Sequence, residues 1–401
     1  MKKHQLIILF LMIFFFAACE EDSWFNFNKK DSRGIERGDI IEVDTSGHLN
    51  KSEINERIDL FPSTDFAEYG VTYLSITYRT EYMGDSINAS GLLVIPDGID
   101  SVDLIMYCHG TEIPGDSLGA NKITPSYYKG DKSTNRDARN MGLGWASKGY
   151  VVFMPDYIGF GITDSVEHPY MYYPEMFISN IDGLLAAKSY LIGKGYQYDN
   201  QLFIAGWSLG GGACLSAHKY IQEQYASEFT VEASSSLAGV LNYEKYLLSN
   251  LEYKDNYILI MSIISWSVYG VNNFSSLQRP VDEIYSVPIA NQIASIYVPS
   301  YKPSDIFQPD FISGILDGTD TEFLDVISQN SYSSGWKPVG KVFLHHGDFD
   351  NVVPYFNSED AKTGLEAEGG DVTLYTYPGG THSSKAGEFI LKTLEDFNQL
   401  R

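Results

Sequence analysis

The chain has 401 residues, with 28 Lys and Arg against 52 Asp and Glu, a formal net charge of −24 and 44% hydrophobic residues. That apolar share excludes a disordered chain, and the acidity excludes both a nucleic-acid partner, which needs a basic face, and electrostatic adhesion to anionic lipid. Three cysteines in so long a chain exclude a disulfide scaffold.

Lys2 and Lys3 precede an apolar run from Leu6 to Ala18. The run is too short for a membrane span, which needs about twenty residues, so residues 1–18 read as an export signal. It ends in Phe16-Ala17-Ala18-Cys19, and Glu20, Glu21 and Asp22 follow. This pattern resembles a bacterial lipobox with the acidic export signal of surface lipoproteins. The resemblance implies cleavage before Cys19, lipidation of its sulfur and anchoring to the outer membrane by that lipid alone. An ordinary secretory signal with an incidental cysteine is the alternative.

Residues 19–60 are polar and read as a tether. From Val71 the pattern changes: Val71, Tyr73, Ser75 and Thr77 alternate with Leu74, Ile76 and Tyr78, and Gly91–Pro96 follows a turn at Met83-Gly84-Asp85. That predicts an antiparallel hairpin at a sheet edge. Short, continuously apolar runs come next, at 104–107, 151–154, 202–205 and 342–344, and suit central parallel strands buried on both faces. A helix is predicted over 180–193, with Ile181, Leu184, Leu185 and Leu191 on one side and Asp182, Lys188 and Ser189 polar. Cys108 and Cys214 could pair in an exported protein, but both fall in segments that read as buried, which favours two inert thiols. Strand and helix alternate, so the fold class is α/β: a mostly parallel twisted sheet with helices on both faces. Residues 241–334 break the alternation, with helical runs near 256–269 and 282–297. They read as a mainly helical cap inserted between the sixth and seventh strands, leaving 61–240 and 335–401 as the core.

Three motifs carry the chemistry. Gly206-Trp207-Ser208-Leu209-Gly210 follows the apolar run 202–205 and opens a helix. A strand-to-helix turn this sharp leaves no room for a Cβ beside the serine and lifts its hydroxyl to the helix N-terminus. Cys108-His109-Gly110-Thr111 ends the strand 104–107. Its backbone can aim an N–H at the same point as that of Leu209, so the oxyanion donors are assigned to Leu209 and Thr111, with His109 a scaffold residue. Finally, His346-Gly347-Asp348-Phe349-Asp350 and then Gly380-Thr381-His382 supply an acid and an imidazole in the order serine, acid, histidine. A serine hydroxyl needs an imidazole to take its proton, and a carboxylate to hold that imidazole. Asp348 and Asp350 compete for the role, and the following Val352-Val353-Pro354 favours Asp350.

With these pieces the chain resembles the α/β-hydrolase superfamily, and within it the bacterial secreted lipases and esterases. Pro155-Asp156-Tyr157 through Gly161, Gly211-Gly212 and Ala238-Gly239 match as well. The resemblance implies Ser208 as nucleophile, Asp350 as acid and His382 as base, with no cofactor. The tandem-glycine loop of some esterases is absent, since Thr111 and Glu112 follow Gly110. Trp207, Asp156 and Tyr157 are candidate pocket residues, although a turn that packs the sheet edge suits Asp156-Tyr157 equally. Tyr170, Tyr172 and Tyr173 either line a pocket or, as preferred, form a rim of the core.

The function expected is a serine carboxylic ester hydrolase acting on a small-molecule or glycan-linked ester. A peptidase of the prolyl-oligopeptidase type is disfavoured, because the roughly fifty residues expected between Cys19 and the first strand leave no room for a further domain. A catalytically dead ligand-binding lipoprotein has no need of all three residues. Scattered histidines and the lack of a CxxC pattern give no metal-ligand spacing.

Overall fold

The computed structural model describes residues 36–114 and 124–401; the segment expected to be an export signal, residues 1–18, and Cys19 lie outside them. Nine strands form one sheet: β1 (Ile40–Leu49), β2 (Val71–Tyr82), β3 (Asp85–Pro96), β4 (Asp103–Cys108), β5 (Tyr150–Pro155), β6 (Gln201–Trp207), β7 (Thr230–Leu237), β8 (Lys341–Gly347) and β9 (Val372–Tyr377). Their spatial order is β1-β2-β3-β5-β4-β6-β7-β8-β9. The first three strands and the β3–β5 pair are antiparallel, and every pair from β5 to β9 is parallel.

Residues 40–57 correct the expected tether. β1 pairs along β2, and α1 (Lys51–Arg57) follows, its Asn50 and Glu53 closing a capping box and its Ile54 fully buried. An edge strand half open to water carries a polar composition, and that is what hid it. The predicted hairpin β2–β3 is therefore one place in from the edge.

Strands β4, β5, β6 and β8 are apolar over most of their length because both faces are covered; Asp103, Gln201 and Lys341 open three of them, and His345 and His346 are buried near the end of β8. In β5, Val151 and Phe153 enter one core while Tyr150, Val152 and Met154 enter the other. β7 gives no such run: Ser234, Ser235 and Ser236 are buried, and each hydroxyl finds a partner. Ser234 meets His218 Nδ1 at 2.9 Å, Ser235 meets Thr393 Oγ1 at 2.7 Å, and Ser236 donates to the Gly211 carbonyl at 3.1 Å. Their small size lets the helix Leu209–Gln224, which carries His218 and Gly211, come close.

After the short α2 (Leu143–Ala146), α3 (Tyr173–Gly193) begins seven residues earlier than its periodicity indicated, and α4 (Leu209–Gln224) follows β6. Asp182 in α3 is not a solvated polar residue. It is buried, accepts from Arg37 Nε at 2.9 Å and from the Thr80 hydroxyl at 2.7 Å, and burial pushes its pKa up to about 6. Between β7 and β8 lie α5 (Tyr243–Leu251), α6 (Met261–Phe274), α7 (Val281–Ile284), α8 (Gln292–Ile296), α9 (Pro303–Ile306), α10 (Pro309–Leu316) and α11 (Thr321–Gln329). The helical run expected over 282–297 is two short helices, since Pro288 and the residues around it interrupt it. With β1 counted, this helical stretch falls between the seventh and eighth strands rather than the sixth and seventh. α12 (Phe356–Ala367) and α13 (Ala386–Asn398) complete the chain. α3, α4, α12 and the helices between β7 and β8 share one core; α1, α2 and α13 cover the opposite face.

The strand order departs from the chain order at β4 and β5, and clefts of such sheets open beyond the carboxyl ends of the strands near that point. The segments that follow β4, β6, β8 and β9 carry His109, Ser208, Asp350 and His382.

Candidate active site

Ser208 sits between β6 and α4 with φ +58° and ψ −120°, a left-handed conformation rare for any residue but glycine. Its amide donates to the Leu237 carbonyl at 2.9 Å, and its carbonyl accepts from Gly211 at 2.9 Å, so neighbouring structure holds the strained turn. The flanking glycines are obligatory here. A Cβ at Gly206 would collide with the Gly210 carbonyl, and one at Gly210 with the Cys108 carbonyl on β4.

The Ser208 hydroxyl lies 2.9 Å from Nε2 of His382, and His382 Nδ1 lies 2.8 Å from Asp350 Oδ2. Nδ1–H donates to the carboxylate, which leaves Nε2 free to accept the serine proton. Asp350 is buried, and its other oxygen accepts the amides of Val352 and Val353 at 2.8 and 3.0 Å. Burial alone would raise its pKa. The hydrogen bonds from His346, His382 and the Val352 amide outweigh that and hold it well below the usual carboxylate range. Asp348, the competing acid, accepts from the Gly379 amide at 2.6 Å instead. The His382 loop is tied down by Trp207, whose indole N–H donates to the His382 carbonyl at 3.1 Å.

The turn after β4 stands beside the serine: a Cβ built on Gly110 would lie 3.9 Å from Ser208 Cβ. His109 is buried, with its Nδ1–H donated to the Gly110 carbonyl at 2.8 Å and its ring stacked on Tyr157 at 4.0 Å. Burial lowers its pKa, so it is a neutral strut of this turn. Thr111 hydrogen-bonds the Tyr170 hydroxyl through Oγ1 at 2.7 Å. The N–H of Leu209 is the first of α4 and has no carbonyl one turn back to meet.

A cavity of about 530 Å³ opens over Ser208 and His382. Trp207 and Thr111 line it, as does Tyr170, whose ring stacks flat on Trp266 of α6 at 3.7 Å. Tyr170 thus reaches the cavity, contrary to the preferred reading of a rim. Asp156 and Tyr157 do not line it. The Asp156 carboxylate accepts from Ser90 at 2.5 Å and from the Ser126 amide at 2.8 Å, and the Tyr157 hydroxyl donates to the His109 carbonyl at 3.0 Å. Both brace the turn from beneath. Their buried partners lie far off in sequence, which is why the motif alone left the choice open.

Several lining residues escaped the sequence reading. Tyr246, Ile263, Val352 and Val353 supply an apolar wall, while Glu112 and residues 132–137 supply a polar one. His346 opened the acid's motif in the sequence but was given no role there: it is buried, with Nε2 at 3.3 Å from Asp350 Oδ2. Its place four residues before the acid was the available signal. Cys108 and Cys214 are both free and buried, and burial pushes the Cys108 thiol up to about 12.

No protein-family model and no curated protein sequence matches the chain. Solved structures do. The rice cell wall degrading esterase LipA from Xanthomonas oryzae superposes with a TM-score of 0.76 at 20% identity, covering 91% of this chain and 100% of that one. A putative hydrolase from Legionella pneumophila gives 0.74 at 21% identity, over 90% and 98%. Candida antarctica lipase A in its closed state gives 0.65 at 15% identity, over 93% and 85%. The fold in common is the α/β-hydrolase fold, as the sequence motifs led one to expect.

Proposed function

We propose that the chain is a serine carboxylic ester hydrolase working through an acyl-enzyme. The observation that carries the reading is the continuous pair of hydrogen bonds from Ser208 through His382 to Asp350, opening on a cavity. The imidazole takes the serine proton as Oγ attacks the ester carbonyl, and Asp350 stabilises the imidazolium that forms. The N–H groups of Leu209 and Thr111 receive the oxyanion, with the dipole of α4 behind the first. His382 then protonates the departing alcohol. In the second half, it draws a proton from water, which attacks the acyl carbonyl and releases the acid and the free serine.

The likeness to an esterase that degrades plant cell walls, and to a lipase, supports an ester substrate, either a small molecule or one linked to a glycan. The export signal and Cys19 support a lipid-anchored protein at the outer membrane, which palmitate labelling of wild type and Cys19→Ala tests. Catalysis is tested by Ser208→Ala. It should abolish turnover of short nitrophenyl esters and covalent labelling by a fluorophosphonate while leaving the fold intact. Undiminished turnover in that variant would remove Ser208 from the mechanism.

A further inference from the structure

The polar wall of the cavity holds Lys132, Arg136 and Arg139 together with Asp137; Arg139 is bridged to Asp59, while Lys132 stands in the bend before the helical run that Arg136 opens. Lys132 and Arg136 are exposed, and among the described residues neither has a carboxylate at ion-pair distance. Several basic side chains elsewhere are paired: Lys148 with Glu68 at 2.8 Å, Lys188 with Glu228 at 2.9 Å, Lys245 with Asp360 at 2.8 Å and Arg279 with Asp320 at 2.6 Å. Acids outnumber bases 52 to 28, so what sets Lys132 and Arg136 apart is their place, in the wall of the cavity that opens over Ser208.

The acids nearest in sequence are already engaged. Asp131 Oδ1 accepts the amide and hydroxyl of Ser133 and of Thr134 at 2.8–2.9 Å, which folds the loop back on itself. The Asp137 carboxylate accepts the Tyr107 hydroxyl at 2.9 Å, and Asp59 is bridged to Arg139. The field of Arg136 reaches both without pairing with either. Glu112 lines the same cavity, but burial, helped by the charge of Asp137, raises its pKa well above the usual value. The same burial weakens the opposition of Glu112 to the two cations.

We propose that Lys132 and Arg136 form a recognition site for a carboxylate carried by the ester substrate; this deepens the hydrolase reading and rests on it. A body of net charge −24 repels anions over most of its surface, so a local positive mouth draws an anionic substrate to the one place where it can react. The guanidinium fork suits a carboxylate, and the ammonium adds a second charge on a flexible stem. The carboxylate can belong to the acyl half, as in a half-ester of a dicarboxylic acid, or to the alcohol half, as in an acylated uronic or other hydroxy acid.

Two matched pairs of substrates separate these sources. For the acyl half, nitrophenyl hydrogen glutarate is set against nitrophenyl pentanoate; for the alcohol half, acetoxybenzoate is set against acetoxybenzamide. In at least one pair the wild type should favour the anion in kcat/KM by about tenfold at low salt, through KM, and lose that advantage at high salt. Lys132→Ala/Arg136→Ala should erase the preference while neutral esters stay within about twofold, and Arg136→Glu should reverse it. No preference in either pair, or one that survives the double variant, overturns the proposal. Fluorophosphonate labelling of Ser208 and turnover of the neutral esters report the hydrolase reading separately. If both are normal and charge makes no difference, only the carboxylate site falls; if both are absent, the two fall together.

Discussion

His346 Nε2 lies 3.3 Å from the same Asp350 oxygen that accepts His382 Nδ1–H. Nε2 also lies 2.9 Å from the Val353 carbonyl, which can only accept, so the proton is on Nε2 and Nδ1 accepts from the Ser358 hydroxyl at 2.7 Å. The Nε2–H is thus directed first at Val353, with the acid as its second, longer contact, and buried His346 holds both the acid and its loop in place. A hydrogen bond to a charged acceptor is worth about 1.5–3 kcal/mol. His346→Ala should lower kcat by roughly ten- to a hundredfold with KM little changed, because the loss falls on the orientation of His382 in the transition state. Steady-state kinetics on a short ester decide it, and an unchanged kcat assigns His346 to packing alone.

Two acids in one loop differ in what they hold. Asp350 meets the imidazole, whereas Asp348 meets the Gly379 amide. Asp350→Asn should cost kcat on the order of 10⁴-fold, since an amide N–H facing Nδ1 leaves the imidazole in the wrong tautomer. Asp348→Asn keeps an acceptor for Gly379 and should change kcat by less than about tenfold. Comparable losses in both variants would mean that the acid has been misassigned.

Legibility in the sequence followed the number of local constraints on each residue. The elbow could be read because Gly206, Ser208 and Gly210 meet steric demands within five residues, and the buried strands because β4, β5 and β6 are apolar on both faces. β7 could not, since Ser234, Ser235 and Ser236 are satisfied by His218, Thr393 and Gly211, none of them near in sequence. β1 was lost to the polar composition of an edge. The apolar wall of the cavity joins Tyr246 and Ile263 to Val352 across about a hundred residues, and periodicity carries no information over that span.

The steric reading of the elbow predicts a sharp contrast between glycines. Gly210→Ala drives a methyl against the Cys108 carbonyl, a backbone atom that cannot rotate away. Overpacking of this kind costs about 1–3 kcal/mol, or a fall in Tm on the order of 5 °C, and the displaced Ser208 should label slowly with a fluorophosphonate. A Cβ at Gly193, at the end of α3, meets nothing within 4 Å. Gly193→Ala should leave both Tm and labelling unchanged or slightly improved. Thermal melts and labelling rates of the two variants, side by side, separate a steric requirement from general sensitivity.

Stability should fall steeply in mild acid, and the cause is three histidines outside the catalytic set. His168, His218 and His345 are fully buried, and burial lowers each pKa from 6.5 to about 3. Among the described residues their second ring nitrogens have no hydrogen-bond partner that would take up the extra proton. Because the folded value lies below the unfolded one, the unfolded chain binds more protons throughout the window from about pH 6.5 down to about 3. The stability these groups contribute is complete above that window and declines on entering it, by up to about 1.4 kcal/mol per pH unit for each histidine. At pH 5 the loss is roughly 2 kcal/mol apiece, offset in part by Asp182, whose raised pKa lets the folded state take up a proton over the same range. The depressed Asp350 adds to the trend only at lower pH, as its carboxylate begins to protonate. Urea midpoints should therefore be level from pH 8 to 7 and drop between pH 6 and 5. In His218→Gln, which keeps a polar side chain beside Ser234 but cannot titrate, the drop should shrink by about one third. A midpoint that stays level down to pH 5, or a drop that His218→Gln leaves unaltered, would show that these imidazoles gain their protons without opening the core.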